Sequence, residues 1–293
     1  MEFRVLRYFL EVAREENISA AAERLHVTQP TLSRQLMDLE AELGKALFNR
    51  EHRRISLTDE GMLLRKRAEE IVDLVDKTEA EVMSSGDNIT GDVYIGSGET
   101  EGIRLVARTA KQLRDEGYDI HFHLFSAHDL SVSQRLDKGL LDFGIFAEGA
   151  NLHKYDSIRI PYADTWGVLM RRDSPLAAKE YIEPKDLWTA PLIVSLQADT
   201  NNELSGWLMR DRDRLNIVGT YNLLFNASIM VEEGLGYALC FDKIIKTKNN
   251  DVLCFRPLKP ARTAKLDIVW KKYQVFSKPA ELFLKKLQEN FEQ

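Results

Sequence analysis

The stretch TQPTLSRQ, residues 28–35, decides the fold of the N-terminal part of the chain. Thr28 is a favourable helix N-cap, and Pro30 falls in the first turn, where its missing N–H removes no intrahelical hydrogen bond. Leucines then recur at helical spacing, at Leu32, Leu36, Leu39 and Leu43. The pattern predicts an amphipathic helix that buries this leucine stripe.

Polar side chains form a second strip on the same predicted helix. Gln29 and Ser33 lie one turn apart, and so do Pro30 and Arg34. Amide, hydroxyl and guanidinium groups are the ones that hydrogen-bond base edges in the major groove of DNA. This strip indicates a recognition helix.

Two further helices are predicted before it. Residues 3–13 carry apolar side chains at helical spacing, and Ser19 is expected to cap a very short, alanine-rich helix over residues 20–25. Small alanines allow the third helix to cross closely. This succession is typical of a helix-turn-helix.

A basic hairpin is predicted to follow. Residues 47–58, LFNREHRRISLT, alternate apolar and polar side chains around a charged tip. Arg50, Arg53 and Arg54 would reach DNA phosphates or the minor groove beside the recognition helix, whereas the plain alternative is a solvated loop. We therefore predict a winged helix-turn-helix domain over residues 1–58.

Charge is distributed unevenly along the chain. The formal net charge of −6 argues against a nucleic-acid partner, because phosphate contacts need a positive surface. From Arg24 to Arg67, however, nine basic residues stand against six acidic ones, which leaves a net charge of +3. A local basic surface is therefore expected within an acidic protein.

A long helix is predicted after Thr58. Its apolar positions step by four and three residues, at Leu64, Ala68, Ile71, Val75, Thr78 and Val82. So narrow a stripe is typical of a coiled-coil seam, and it predicts a dimerisation helix. The polar residues 84–88 would end it as a hinge, so that residues 59–88 form the linker.

Residues 21–61, AAERLHVTQPTLSRQLMDLEAELGKALFNREHRRISLTDEG, closely resemble the DNA-binding domain of the LysR-type transcriptional regulators of bacteria. The resemblance extends over the whole chain and includes EEGLGYAL at 232–239. It implies that Gln29, Pro30, Thr31, Ser33 and Arg34 face double-stranded promoter DNA, with support from Arg53. Thr28, at the start of the same helix, is a further DNA-binding candidate. It also implies a homodimer or homotetramer, a small-molecule effector that alters DNA bending, and RNA polymerase as a further partner.

Strand-like and helical segments alternate from Gly91 onward, which predicts parallel sheets with helices on both faces. The expected fold class is α/β, with a mainly α-helical winged helix-turn-helix at the N-terminus. We expect lobe I to comprise residues 89–161 and 266–293 and lobe II residues 162–265. The resemblance implies two lobes similar to periplasmic binding proteins.

Ligands of open α/β sheets bind at the carboxyl ends of strands, beside helix N-termini. That rule selects effector-binding candidates in both lobes: Ser97, Glu99, Thr100, Ser126, His128, Phe146, Glu148, Ser195, Gln197 and Asn226. The resemblance places the family's effector pocket in the same cleft. Ser97, Thr100 and Ser195 have a plainer alternative as caps of their own helices.

Glu99 departs from what an anion-binding site requires. A carboxylate beside the start of the helix predicted from about Thr100 would already occupy the position where an anionic ligand gains from the positive end of the helix dipole. The hypothesis that follows is a neutral or amine-bearing effector.

Three other functions are alternatives to a regulator. An enzyme would need a catalytic motif, and the glycines of GSGETEG at 96–102 have the wrong spacing for a dinucleotide loop. A metal- or redox-responsive regulator remains the alternative, through His121, His123 and His128 or through Cys240 and Cys254. An exported solute receptor would lack the DNA-binding head.

No cofactor is expected, and the chain shows neither a signal segment nor an apolar run long enough to span a bilayer. We therefore expect a cytoplasmic protein.

Overall fold

The computed structural model describes residues 1–51, 54–83, 89–147, 152–196, 203–248 and 250–291, apart from the side chains of residues 50, 51, 54, 80, 83 and 203–205. The chain divides into two compact units, Met1–Met83 and Ser84–Gln293. Among the described residues, no helix is long and apolar enough to cross a membrane.

The first unit is a winged helix-turn-helix followed by a long helix. Its elements are α1 (Phe3–Glu15), α2 (Ile18–Arg24), α3 (Gln29–Leu43), β1 (Phe48–Glu51), β2 (Arg54–Leu57) and α4 (Asp59–Met83). The strands β1 and β2 pair antiparallel, with Phe48 opposite Leu57. The helix-turn-helix and its wing therefore form in the predicted order.

The caps of α2 and α3 fix the turn between them. Thr28 caps α3 as predicted, since its Oγ1 accepts a hydrogen bond from Thr31 N at 3.4 Å. The cap of α2 is Asn17, not Ser19, because the Asn17 backbone is extended and its Oδ1 accepts from the N–H groups of Ser19 and Ala20.

The core of the first unit lies beneath α3. Three of the four predicted leucines, Leu32, Leu36 and Leu39, are buried against α1 and the two alanines of α2. Leu43 is 42% exposed, because the helix ends at Gly44, whose backbone has a positive φ of 64°. The leucine stripe is thus one turn shorter than predicted.

The predicted dimerisation seam of the long helix α4 falls into two parts, one packed in its own unit and one exposed. Ala68 is fully buried in the core of its own unit, and Leu64 packs against that same core. Both were predicted to face a partner chain, and the prediction is wrong for Ala68 because α1 covers it. Further along α4, Ile71 and Val82 are exposed by 38% and 68%.

The second unit is α/β. Its helices are α5 (Ile103–Asp115), α6 (Asp129–Asp137), α7 (Pro184–Leu187), α8 (Glu203–Leu208), α9 (Leu224–Glu232) and α10 (Lys278–Phe291). Its strands are β3 (Thr90–Ser97), β4 (Asp119–Ser126), β5 (Phe143–Ala147), β6 (Tyr155–Arg171), β7 (Leu192–Ser195), β8 (Ile217–Tyr221), β9 (Tyr237–Phe241), β10 (Leu253–Pro257) and β11 (Thr263–Lys271).

The strands of this unit run in the order β4-β3-β5-β11-β6-β9-β7-β8, and β10 also pairs with β6. The outer strands on each side pair parallel, as predicted, but β6, β10 and β11 pair antiparallel at the centre. The sequence analysis missed these central pairings because alternation of strands and helices says nothing about strands that return directly along the sheet.

Two long strands connect the lobes of this unit. We use lobe I for the part built on β3, β4 and β5 and lobe II for the part built on β7, β8, β9 and β10. The first half of β6 packs its Ile160 into the core of lobe I, whereas Trp166 of the second half packs into lobe II. Because β11 pairs along β6 at this crossover, the lobes share a two-stranded hinge.

The C-terminal helix α10 packs on α5 and β3 of lobe I. Its buried side chains are Ala280, Phe283 and Leu287. Leu282 and Leu284 are only partly buried.

Candidate functional site

The polar strip of α3 lies on its exposed surface. Thr28, Gln29, Pro30, Thr31 and Arg34 are exposed. The strip also includes Ser33, which is half-buried. The structure thus brings all six predicted DNA-contacting residues of α3 to one end of an exposed helix face.

Hydrogen bonds within this strip hold its side chains in place. Gln29 Nε2 donates to Ser33 Oγ at 3.0 Å, and the hydroxyls of Thr28 and Thr31 are 2.8 Å apart. Such bonds between exposed groups exchange readily for bonds to another partner, because both groups remain accessible to solvent. The side chains of this strip therefore hold one another in place and can still exchange these hydrogen bonds for bonds to a partner.

The predicted basic wing is described only in part. Arg50 lies in β1 opposite Ile55, and Arg54 lies in β2 opposite Glu51. Their side chains, and Arg53 altogether, lie outside the described residues. Their contact with DNA stays a prediction.

A cavity of about 100 Å³ opens between the two lobes of the second unit. Four of the predicted effector-binding residues line it: Glu99, Thr100, His128 and Ser195. They come from the carboxyl ends of β3, β4 and β7, as the rule for open α/β sheets predicts. The cleft is therefore formed where the sequence indicated.

Four other candidates do not line this cavity. Ser97 is buried and donates from Oγ to Gly98 O at 2.7 Å, and Phe146 is buried beside Tyr155 on the other side of β5. Ser126 and Asn226 are exposed away from it. Side chains alternate along a strand, and α9 is rotated so that Asn226 faces away from the cavity. The prediction that these four side chains lie in the cleft is therefore wrong. Glu148 and Gln197 lie outside the described residues.

Aromatic residues of lobe II were missed by the sequence analysis. Trp166 and Phe241 line the cavity with ring centroids 4.5 Å apart, and Tyr221 lines it while its hydroxyl donates to Leu239 O at 2.6 Å. Tyr221 and Phe241 end β8 and β9, so the strand-end rule could have found them. Trp166 lies within β6, where only the crossover between lobes brings it to the cleft.

Glu99 reaches across the cleft. Its Oε2 accepts a hydrogen bond from Leu224 N, at the first residue of α9 in lobe II. The sequence analysis placed this carboxylate at the start of the next helix along the chain, but α5 begins at Ile103, with Gly102 as its N-cap. Glu99 therefore occupies a helix N-terminus of the opposite lobe.

His128 caps α6 from the cavity wall. Its Nδ1 accepts a hydrogen bond from Ser131 N at 3.2 Å. This hydrogen bond satisfies one of the N–H groups in the first turn of α6, which have no partner within the helix.

Asp164 joins the hinge to lobe I. Its Oδ2 accepts from Thr100 Oγ1 at 2.5 Å and its Oδ1 from Glu101 N at 3.3 Å. Burial raises the pKa of Asp164 from 3.8 to about 6, although the hydrogen bond from Thr100 acts in the opposite direction. Thr100 thus lines the cavity while bonded to the hinge strand.

The alternative metal and redox chemistries find little support in the described residues. Within them, no group of three or more His, Cys, Asp or Glu side chains could hold a metal ion. Cys240 and Cys254 are buried in separate clusters on opposite faces of the lobe II sheet, and burial raises the pKa of the Cys240 thiol far above its ordinary value. A buried, protonated thiol is a poor nucleophile.

Comparison with known proteins identifies the family. The bacterial regulatory helix-turn-helix family of LysR type matches residues 3–62, and the LysR substrate binding domain matches residues 86–292. The transcriptional regulator YfeR of Shigella flexneri is 26% identical over 277 residues, which are 94% of this chain and 90% of that protein. BsdA of Bacillus subtilis is 28% identical over 220 residues, 74% of each chain.

Solved structures share the same fold. Full-length CbnR in complex with its target DNA has a TM-score of 0.77 at 18% identity, with 99% of each chain covered. The two family matches together span nearly the entire sequence. The chain therefore belongs to the LysR family of bacterial DNA-binding transcriptional regulators, with a helix-turn-helix domain followed by an effector-binding domain.

Proposed function

We propose that α3 enters the major groove of promoter DNA and that its exposed strip reads the operator. The observation that carries this proposal is the set of exposed polar groups at one end of α3, above a fully apolar core. Gln29, Thr31, Ser33 and Arg34 supply base-edge contacts, while Thr28 and Pro30 shape the start of the helix.

The wing supplies contacts of a different kind. Arg50, Arg53 and Arg54 bind phosphates or the minor groove, which fixes the position of the head on the duplex without reading sequence. CbnR was solved in complex with its target DNA, and its fold similarity supports the same use of the head here. The protein acts in the cytoplasm as a homodimer or homotetramer and works beside RNA polymerase, without catalysing a reaction.

The cavity between the lobes is the effector site. Its ligand contacts lobe I at Glu99, Thr100 and His128 and lobe II at Ser195, with Glu148 and Gln197 as further candidates. A ligand that contacts both lobes favours one arrangement of them over another, and it changes DNA affinity only by its preference between those arrangements. In this proposal residues 1–58 form the DNA-binding head and residues 59–88 the linker. The linker connects the head to lobes I and II, and it couples ligand binding to DNA binding.

Operator binding by the full-length protein tests the role of α3. Genome-wide mapping of bound sites first supplies the cognate fragment. Arg34→Ala should then weaken binding to that fragment by roughly 1 to 3 kcal/mol while leaving binding to unrelated DNA nearly unchanged. Arg4→Ala, which removes the same charge from the exposed surface of α1, is the matched control.

Salt dependence separates the wing from the recognition helix. Arg53→Ala should weaken binding to all DNA sequences alike. It should also reduce the slope of log affinity against log salt concentration by about one, because one phosphate contact is lost. Unchanged operator affinity in Arg34→Ala, or the absence of any sequence-selective binding by the wild-type protein, would refute the proposal.

A further inference from the structure

The described lining of the cavity carries acidic side chains and contains no Lys or Arg. Glu99 and Asp129 are its carboxylates, and His128 accepts a hydrogen bond from Ser131 N through Nδ1. The described lining therefore offers a ligand the carboxylate of Glu99 and no cationic side chain.

The N-terminus of α9, one that a ligand's carboxylate would seek, is already occupied. Leu224 N, at the start of the nine-residue helix α9, donates to Glu99 Oε2. An anionic ligand would have to displace Glu99 or lie beside it, and like charges in a partly buried site repel. A carboxylate accepts about four hydrogen bonds in all, so Leu224 N uses only part of the capacity of Glu99.

The remaining walls suit a hydrophobic cation. Trp166 is only 7% exposed and stands edge-on to Phe241, while Ile145, Leu224 and Leu266 complete an apolar surface. Aromatic rings attract cations through their negative faces, and Trp does so most strongly. The cavity thus combines the Glu99 carboxylate with an aromatic and aliphatic wall.

We propose that the effector is a small organic amine whose ammonium group binds Glu99 and whose apolar body packs against Trp166 and Phe241. The proposal rests on the cavity being the effector site. Glu99 then serves two partners, because it holds lobe II through Leu224 N and binds the ligand's charge.

Matched ligands that differ only in their charged end test this proposal. Calorimetric titration of the full-length protein would use 2-phenylethylamine, 2-phenylethanol and 3-phenylpropanoate, with butylamine, butanol and pentanoate as smaller counterparts. In at least one series the amine should bind at least about tenfold more tightly than the alcohol, and the carboxylate should bind most weakly.

Glu99→Gln tests the role of the carboxylate. The amide oxygen still accepts the hydrogen bond from Leu224 N, so the contact between lobes is kept while the charge is removed. Amine affinity should fall by roughly tenfold and the alcohol's should hardly change. Glu281→Gln, which neutralises an exposed carboxylate of α10 away from the cavity, should leave both affinities unchanged.

Three results would overturn the proposal: a carboxylate that binds as tightly as its matched amine, an amine preference that persists in Glu99→Gln, or no amine binding up to roughly 10 mM. Failure of the effector-site assignment looks different. In that case the amines bind and respond to Glu99→Gln, but saturating amine leaves operator affinity and promoter bending unchanged.

Discussion

Gly61 lies where the long helix α4 passes close to Leu47 and Leu57 of the wing region. A Cβ at this position would lie 2.1 Å from Leu47 O, a backbone atom that Thr58 N holds by a hydrogen bond of 3.0 Å. Because the carbonyl is fixed in this way, it cannot move aside cheaply. This steric constraint thus explains the glycine at position 61, the last residue of LTDEG.

Gly61→Ala should therefore destabilise the first unit by about 1 to 3 kcal/mol, although alanine normally favours helices over glycine. Urea unfolding followed by circular dichroism measures the effect. Gly206→Ala in α8 is the control, since no described atom lies within 4 Å of the Cβ it would add. Equal stability of the Gly61→Ala variant and the wild type would contradict the proposed clash.

Asp164 should make stability depend on pH. Burial raises the pKa of its carboxyl from 3.8 to about 6, so between these values the folded protein holds a proton that the unfolded chain has released. The contribution of Asp164 to the free energy of unfolding is therefore greatest below about pH 4 and falls as pH rises through 6.

The comparison with Asp164→Asn isolates this effect. The stability of the wild type relative to Asp164→Asn should fall by roughly 1 to 3 kcal/mol between about pH 4 and pH 7. Urea titrations of both proteins at several pH values measure this difference. Parallel stability profiles would show that Asp164 does not titrate in this range.

The helix α4 combines two functions along its length. Its first half belongs to the core of the first unit through Ala68 and Leu64, whereas Ile71, Leu74 and Val82 present an apolar stripe to solvent. A solvent-facing stripe of this length on a polar helix is typical of an oligomer contact. We therefore expect the dimer contact in the second half of α4, with Val75 and Thr78 beside the stripe.

Val75→Asp should lower the dimerisation constant at least about tenfold, because it would place an unpaired charge in an apolar contact. Analytical ultracentrifugation measures the constant, and circular dichroism checks that the head remains folded. Lys66→Gln, which also makes α4 more negative by one charge but on its opposite side, is the matched control. A Val75→Asp protein that dimerises as the wild type does would exclude this contact.

At the scale of the whole molecule, the two units have separate hydrophobic cores. The core of Met1–Met83 contains residues of α1–α4 and the wing, whereas that of Ser84–Gln293 is built on the central sheet. Each unit should therefore fold by itself.

A fragment of residues 84–293 should keep the ligand affinities of the full chain and lose all operator binding. Calorimetry and electrophoretic mobility shift assays on the purified fragment measure the two properties. Residual operator binding by this fragment would contradict a DNA-binding surface confined to the head.

The amino-acid sequence by itself determined the elements of the head and most of the pocket's position. Caps, helical spacing and strand alternation are local properties, and so Thr28, the leucine stripe and the strand-end residues Glu99, His128 and Ser195 could be assigned from neighbours in the chain. Thr100 joins them for the same reason.

Only the tertiary structure decided which surfaces those elements bury. The packing of Ala68 on α1, the hinge formed by β6 and β11, the arrival of Trp166 in the cleft and the reach of Glu99 to Leu224 N all join residues far apart in sequence. Periodicity along one segment shows which side of it is apolar but does not identify the segment that covers that side.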